Sequence, residues 1–299
     1  MPEKILFVFN PNSGKGTIKN HIFQIVDVFT KNGCIVTVYP TSKHGDGEKI
    51  IGETGGQYKK ILISGGDGTL NECINGLLSL PAEVRPCIGY IPSGSTNDFA
   101  SSLKIPKNPS AAIKNIIEGA PIKFDVGKFN DSCFVYIAAF GAFTDVAYAT
   151  PQNVKNYIGH MAYILEGIKR LPTIKSCSME IEHDGDTVKG SFIYGMVSNS
   201  SYVGGLKTYR FEDIDMSDGL FECVFIKAPE TPIELQSIIT GLLMKDFSSP
   251  EFCNFRTHSL TIKSAEKISW TLDGEYGGKH SFADIKNVNN AVSIFTVRR

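Results

Sequence analysis

Three short turns carry the residues of this chain whose types and spacing suit phosphate chemistry. Asn10-Pro11-Asn12-Ser13-Gly14-Lys15-Gly16, Gly65-Gly66-Asp67-Gly68-Thr69 and Pro92-Ser93-Gly94-Ser95-Thr96-Asn97-Asp98 each follow a short apolar run. Glycine permits φ > 0 and close backbone approach, so successive N–H groups can cup an anion. Ser13, Thr69 and Ser95 add hydroxyl donors. Asp67 has the wrong charge for a direct phosphate contact, but it makes chemical sense with a divalent cation between it and the phosphates. The chemistry implied is phosphoryl transfer. One such turn would be ordinary punctuation, whereas three after strands favour the phosphate reading. A P-loop is excluded, because Gly16 follows Lys15 where Ser or Thr is needed, and Phe9 stands five residues before Gly14.

The elements that must hold these turns alternate up to about residue 124. Strand patterns at 5–9, 35–39, 61–64 and 87–91 alternate with helical patterns at 18–29, 47–54, 67–80 and 108–117. Asn32-Gly33 and Gly119 read as helix closures, and Asn108-Pro109 as a helix start. That rhythm implies a parallel sheet with helices on both faces, its turns gathered at the carboxyl edge where ligands bind. Helices after the turns would aim their positive ends at the same spot.

Beyond residue 124 strands dominate, at 133–140, 177–183, 187–198, 219–226, 257–263, 267–272 and 291–297. Asp184-Gly185-Asp186 reads as a hairpin turn, and long helical patterns occur only at 153–170 and 231–245. The expected fold class is α/β plus all-β. A nucleotide-binding α/β domain spans 1–124, and a β-sandwich substrate domain spans 125–299, with the extreme C-terminus packing back on the first.

The balance of 30 basic and 31 acidic residues gives no support for nucleic acid as a partner. No apolar run approaches the 20 or so residues of a membrane span, and none resembles a secretory signal. Seven cysteines without a CxxC pair argue for free thiols in a reducing, cytoplasmic setting. The six histidines lack metal-ligand spacing, and Trp270 is read as core. The apolar helix pattern at 231–245 is read first as core, with some surface available to lipid.

Taken together, the motifs resemble the diacylglycerol kinase catalytic-domain family, particularly its soluble bacterial lipid kinases. The carriers are Asn10-Pro-x-Ser-Gly14, Gly65-Gly-Asp-Gly-Thr-Leu-Asn-Glu72 and Pro92-x-Gly-Ser-Thr-Asn-Asp98. Asp125-Val-Gly127, Gly159, Tyr163, Asn199, Gly204-Gly205, Asp218-Gly219-Leu220 and Asp273-Gly-Glu275 extend the resemblance end to end. It implies a first domain like those of phosphofructokinases and NAD kinases, a C-terminal β-sandwich and an active site in the cleft between them. The implied reaction is phosphorylation of a lipid hydroxyl by ATP and Mg2+, the acceptor being diacylglycerol or a relative met transiently at the membrane surface. A homodimer is compatible with it.

The resemblance further implies nucleotide contacts from Asn10, Ser13, Thr41, Gly66, Asp67, Gly68, Thr69, Ser95 and Glu275. It makes Asp273 the general base toward the acceptor hydroxyl, where local sequence alone favours a Leu-Asp-Gly-Glu hairpin turn. Asp218, with carbonyls near Asp215 and Leu220, matches a structural magnesium site that Asp98 and Asp125 would link to the nucleotide through waters. Read alone, Asp215 and Asp218 are solvated loop residues. The chain departs from the family at Ser95, Ser101, Leu206, Glu212 and Ile214, and the changes at 205–216 bear most on the acceptor and structural-metal assignments. An NAD or sugar-phosphate kinase shares Gly-Gly-Asp-Gly, and a catalytically silent nucleotide or lipid binder stays open.

Overall fold

The computed structural model describes residues 2–141, 174–200, 202–203, 206–207, 215–244 and 246–297. The helix expected at 153–170 lies outside the described residues, as do Gly159, Tyr163, Gly204, Gly205 and 209–214. The chain divides into two compact units, Met1–Val126 with Asn289–Arg299, and Gly127–Val288.

In the first unit the elements run β1 (Glu3–Phe9), α1 (Ile22–Lys31), β2 (Cys34–Pro40), α2 (Asp46–Thr54), β3 (Lys60–Gly65), α3 (Asp67–Leu78), β4 (Cys87–Pro92), α4 (Asp98–Ser102) and α5 (Pro109–Glu118). Strands β2, β1, β3 and β4 pair in parallel in that order, and Ile294 extends the set beside Ile88 of β4. Ile5 to Phe9 are all buried, as a strand covered on both faces requires. Side chains alternate across a strand. Ile5, Phe7 and Phe9 accordingly pack with Ile25 and Phe29 of α1 and with Ile113 and Ile116 of α5. Leu6, Val8, Ile61 and Ile63 are buried on the other face, where Ile51 of α2 and Ile61 meet against Gly55. Each such buried side chain contributes about 1.5–3 kcal/mol.

Helix boundaries follow local chemistry. The Asn108 side chain accepts from Ala111 N–H at 3.1 Å and Pro109 opens α5, the expected start. Gly33 closes α1 with φ +79. Gly119 does not adopt the left-handed cap, since its φ is −77. Its lack of a side chain serves close packing instead, because a Cβ there would stand 2.3 Å from the Asn115 carbonyl oxygen.

The chain passes through β5 (Ala120–Phe129) into the second unit. There follow β6 (Ser132–Phe134), β7 (Ile137–Gly141), β8 (Cys177–His183), β9 (Asp186–Ser198), β10 (Tyr202–Val203), β11 (Leu206–Lys207) and β12 (Phe221–Lys227). Then come α6 (Pro232–Met244), β13 (Phe252–Thr257), β14 (Ser259–Leu272) and β15 (Glu275–Thr296). The runs expected at 257–263 and 267–272 form one strand, β14, interrupted by a register shift between Lys263 and Ile268. That bulge lets β14 pair with β8 before it and β7 after it. β9 similarly pairs with β8 through its first half and with β7 through its second. The circuit β9–β7–β14–β8 therefore closes, with β12 and β13 continuing from β9. Phe134, Phe140, Phe192, Phe221, Phe225 and Trp270 fill the core, Trp270 standing 4.9 Å from both Phe129 and Phe140.

Two Asp-Gly pairs set the hairpins. Asp184 and Gly185 (φ +46 and +89) join β8 to β9, and Asp273 and Gly274 (φ +51 and +84) join β14 to β15. Two consecutive positive φ values are the turn that matches strand twist, and Asp-Gly is the sequence that tolerates them. Helix α6 departs from the core reading. Only Ile238 and Gly241 are buried, Gly241 against the Phe252 ring, while Ile233 is 80% and Met244 75% exposed.

Candidate active site

The three glycine turns meet at one edge of the first unit's sheet. Asn10 N–H donates to Ser64 O at 2.9 Å, and Ser93 N–H to Gly65 O at 2.9 Å, so each strand end is tied to the next. The backbones approach until no side chain fits. A Cβ on Gly14 would stand 2.2 Å from Ser93 O, and one on Gly94 would stand 2.4 Å from the Gly66 Cα. Gly14 also has φ +57. Asn10 Nδ2 reaches Thr69 Oγ1 at 3.4 Å, and the Gly66 backbone lies beside Ser13 Oγ. Asn10, Ser13, Gly66, Asp67, Gly68 and Thr69 are thus gathered, with the exposed Ser95 on the third turn.

Asp67 is buried, and it fastens the third turn to the second. Its Oδ2 accepts from Thr96 Oγ1 at 3.3 Å and Asp98 N–H at 3.2 Å, and its Oδ1 from Phe99 N–H at 3.4 Å. Those N–H groups are the unsatisfied donors that open α4, so the carboxylate caps a helix that follows it by 31 residues. Burial drives the Asp67 carboxyl above its ordinary range, and the three donors act in the opposite sense. Asn97 completes the brace from a left-handed backbone (φ +54), its side chain bonding Gly94 N–H at 2.9 Å and Gly94 O at 2.8 Å.

Thr41 follows β2, and its N–H donates to Phe9 O at 2.9 Å, at the root of the first turn. The loop beyond it is held by Asp46, which accepts from Ser42 N–H, Ser42 Oγ and Lys43 N–H. The Ser42 hydroxyl, then the two N–H groups, push the Asp46 carboxyl down to about 2. Glu72 ties this loop to α3, pairing with His44 Nδ1 at 2.8 Å and accepting from Gly47 N–H at 3.3 Å.

In the second unit Asp273 is buried, and it accepts from three successive N–H groups. Val135 reaches Oδ2 at 2.6 Å, and Tyr136 and Ile137 reach Oδ1 at 2.9 and 3.0 Å. Its own N–H donates to Ile137 O at 2.9 Å. The hairpin turn and the held carboxylate are therefore one feature. Glu275, two residues on, is exposed.

The residues expected at the structural magnesium site meet protein donors. Asp215 Oδ1 accepts from Ser217 N–H and Oγ, and Asp215 O from Asp218 N–H at 3.3 Å. Asp218 Oδ1 accepts from Leu220 N–H at 2.9 Å, and its Oδ2 faces Arg256 Nη2 at 3.0 Å. Among the described residues no group of three His, Cys, Asp or Glu side chains is arranged to hold a metal ion. A guanidinium stands where the cation's charge would be needed, so this donor set does not fit a divalent ion. Asp125, in the first unit, accepts from Asn289 Nδ2 and Asn290 N–H, and Asp98 is buried at the start of α4.

Thr96, Glu72 and Asp46 carry no individual signal in the sequence, although the first two lie inside the quoted motifs. A small polar residue at a turn's left-handed position was the available signal for Asn97. Arg256 had none, because its partners lie 34 and 38 residues away.

The first unit is a mixed α/β body with glycine turns, hydroxyls and a buried carboxylate at one sheet edge, the class of architecture that handles phosphates there. The diacylglycerol kinase catalytic domain model matches residues 4–129. A diacylglycerol kinase of Staphylococcus carnosus (strain TM300) is 31% identical over 99% of this chain and 96% of that protein. One of Bacillus subtilis (strain 168) is 31% identical over 91% and 89%. A crystal structure of a diacylglycerol kinase from Bacillus anthracis str. Sterne matches with a TM-score of 0.75 at 23% identity, over 99% of this chain and 97% of that one. A second structure from the same strain gives 0.83 at 25% identity, over 99% and 95%. The chain belongs to the diacylglycerol kinase family and is a lipid kinase.

Proposed function

We propose that the protein transfers the γ-phosphoryl group of ATP to a hydroxyl of diacylglycerol or a closely related lipid. The observation that carries this reading is the packing of three glycine turns around Asp67. In it the first unit is the nucleotide domain, of the phosphofructokinase and NAD-kinase kind, and the second is the acceptor-side β-sandwich domain. N–H groups of the turns, with Asn10, Ser13, Thr69 and Ser95, hold the polyphosphate. Thr41 and Glu275 are further nucleotide contacts.

Mg2+ fits beside Asp67 by count of acceptor sites. A carboxylate has roughly four lone-pair positions, and Thr96, Asp98 and Phe99 use three. Asp67 would hold such an ion, which would supply charge neutralisation to the phosphates. Asp273 takes the proton from the acceptor hydroxyl as it attacks, its orientation fixed by the Val135–Ile137 N–H groups. Diacylglycerol is the acceptor named for the relatives, and no helix among the described residues is long and apolar enough to cross a membrane. The lipid is met at the membrane surface from a cytoplasmic protein, and the exposed Ile233, Leu243 and Met244 of α6 supply apolar surface for that contact.

Labelled ATP incubated with micelles of diacylglycerol, other hydroxyl lipids and NAD tests the reading. Label in the diacylglycerol fraction is expected. Label confined to NAD, or nucleotide and lipid binding without turnover in Mg2+, refutes it.

A further inference from the structure

The second unit carries a polar row that runs across its sheet in register. Asp273 N–H bonds Ile137 O, Ile137 lies opposite Ser198, Ser198 opposite Glu222, and Glu222 opposite Arg256. Phe221 and Cys223, the neighbours of Glu222, enter the apolar core on the other face. Glu222 is itself only 2% exposed, and its Oε2 is buried without a hydrogen-bond partner. A carboxylate so placed takes a cation beside it or a proton.

Arg256 supplies one. Its Nε and Nη2 stand 3.1 and 2.7 Å from Glu222 Oε1, and the same Nη2 stands 3.0 Å from Asp218 Oδ2. The guanidinium thus bridges two carboxylates from β12 and the turn before it. His258 Nδ1, two residues on, meets Gly219 O at 2.8 Å and fixes that turn from the same segment. Strand geometry sets the place of Arg256, because cross-strand partners are held within about 5.5 Å.

We infer that Arg256 is the resident cation of the Asp218–Glu222 carboxylate pair, and that this part of the fold needs no divalent metal. The guanidinium is permanently charged and forks between two acceptors, which a lysine would do less well. The metal dependence of the enzyme then resides wholly with the nucleotide.

Thermal unfolding of the full chain without nucleotide, at pH 8 in EDTA and in excess Mg2+, tests this. The wild type is expected to unfold at the same temperature in both. Arg256→Met is expected to lower that temperature by roughly 4–8 °C in EDTA, since it strands a buried carboxylate. Mg2+ is expected to restore part of the loss, because the freed pair can then take a divalent ion. A wild-type transition that rises several degrees with Mg2+, and no longer does so in Asp218→Asn, overturns the inference. So does an Arg256→Met protein as stable as wild type in EDTA. If Arg256→Met does not fold, the comparison of wild type with Asp218→Asn decides alone.

Discussion

Asp67 and Asp273 stand in different units, yet each is a buried aspartate followed by glycine that accepts three hydrogen bonds from a distant segment. The regions differ in what the bonds hold. Around Asp67 they join two glycine turns and start a short helix, and one donor is a side-chain hydroxyl. Around Asp273 the N–H groups of Val135, Tyr136 and Ile137, at the entry to β7, hold the carboxylate, and the aspartate is also half of a hairpin turn. In the first region the carboxylate shapes the proposed nucleotide surface. In the second, the surrounding sheet holds a single carboxylate in place. A residue can therefore serve as fastener and chemical group together, and substitutions at the two sites should fail differently.

The largest effect is expected from Asp67→Ala. Loss of the carboxylate frees the start of α4, removes the proposed partner for the cation and lets the third turn move. Turnover should fall below detection, and nucleotide affinity, measured by calorimetry, should fall at least tenfold. Asp273→Asn should lower kcat by about 10²–10⁴, the range for loss of a general base. Nucleotide affinity should be nearly unchanged. The amide turns an NH2 toward N–H donors, so stability should fall by about 1–3 kcal/mol. Full activity in Asp273→Asn would remove it from proton transfer and leave it a fastener.

How far the sequence shows these sites depends on the range of the forces that build them. The strands and helices of the first unit are legible because period and turn chemistry are local, as at Asn32-Gly33 and Asn108-Pro109. The glycine turns are legible as a group because each directly follows a strand. What Asp67 touches is not, since Thr96 and Phe99 come to it only when β3 and β4 pair. The second unit is harder still. Its circuit depends on β9 and β14 each pairing with both β7 and β8, and a bulge at 263–268 reads locally as a break between two strands. Helix α6 looks like core because its apolar residues surround the axis, while contact with Phe252 uses a single narrow stripe.

A smaller effect should follow from Gly94→Ala, which tests whether the first region depends on close backbone approach. The added methyl would stand 2.4 Å from the Gly66 Cα, and backbone cannot yield as a flexible side chain can. The turns must part, at a cost of about 1–3 kcal/mol. The matching outcome is nucleotide binding weakened roughly 10–100-fold with little change in the response to lipid concentration. The mirror experiment, Gly185→Ala, meets no atom within 4 Å and bears only on a hairpin turn, so it should alter stability and leave both affinities alone.

The smallest expected difference lies in the pH response of two further carboxylates, one from each region. Asp46 is held down to about 2 by the Ser42 hydroxyl first and the Ser42 and Lys43 N–H groups next. A depressed carboxyl stabilises the fold above its unfolded value of 3.8, and that stabilisation is lost as pH falls toward 2. Glu222 shifts the other way. Burial, with Asp218 adding to it, raises Glu222 to about 7 against the pull of Arg256. The folded protein then binds this proton more tightly than the unfolded chain. The associated stabilisation is complete below 4.5 and disappears as pH rises through 7. Denaturant unfolding of wild type and Glu222→Gln at pH 5 and pH 8 isolates the effect, because the amide cannot titrate. Wild type should lose more stability than the variant between the two pH values. Equal losses would mean that Arg256 holds Glu222 ionised throughout, making it a fixed partner like Asp46.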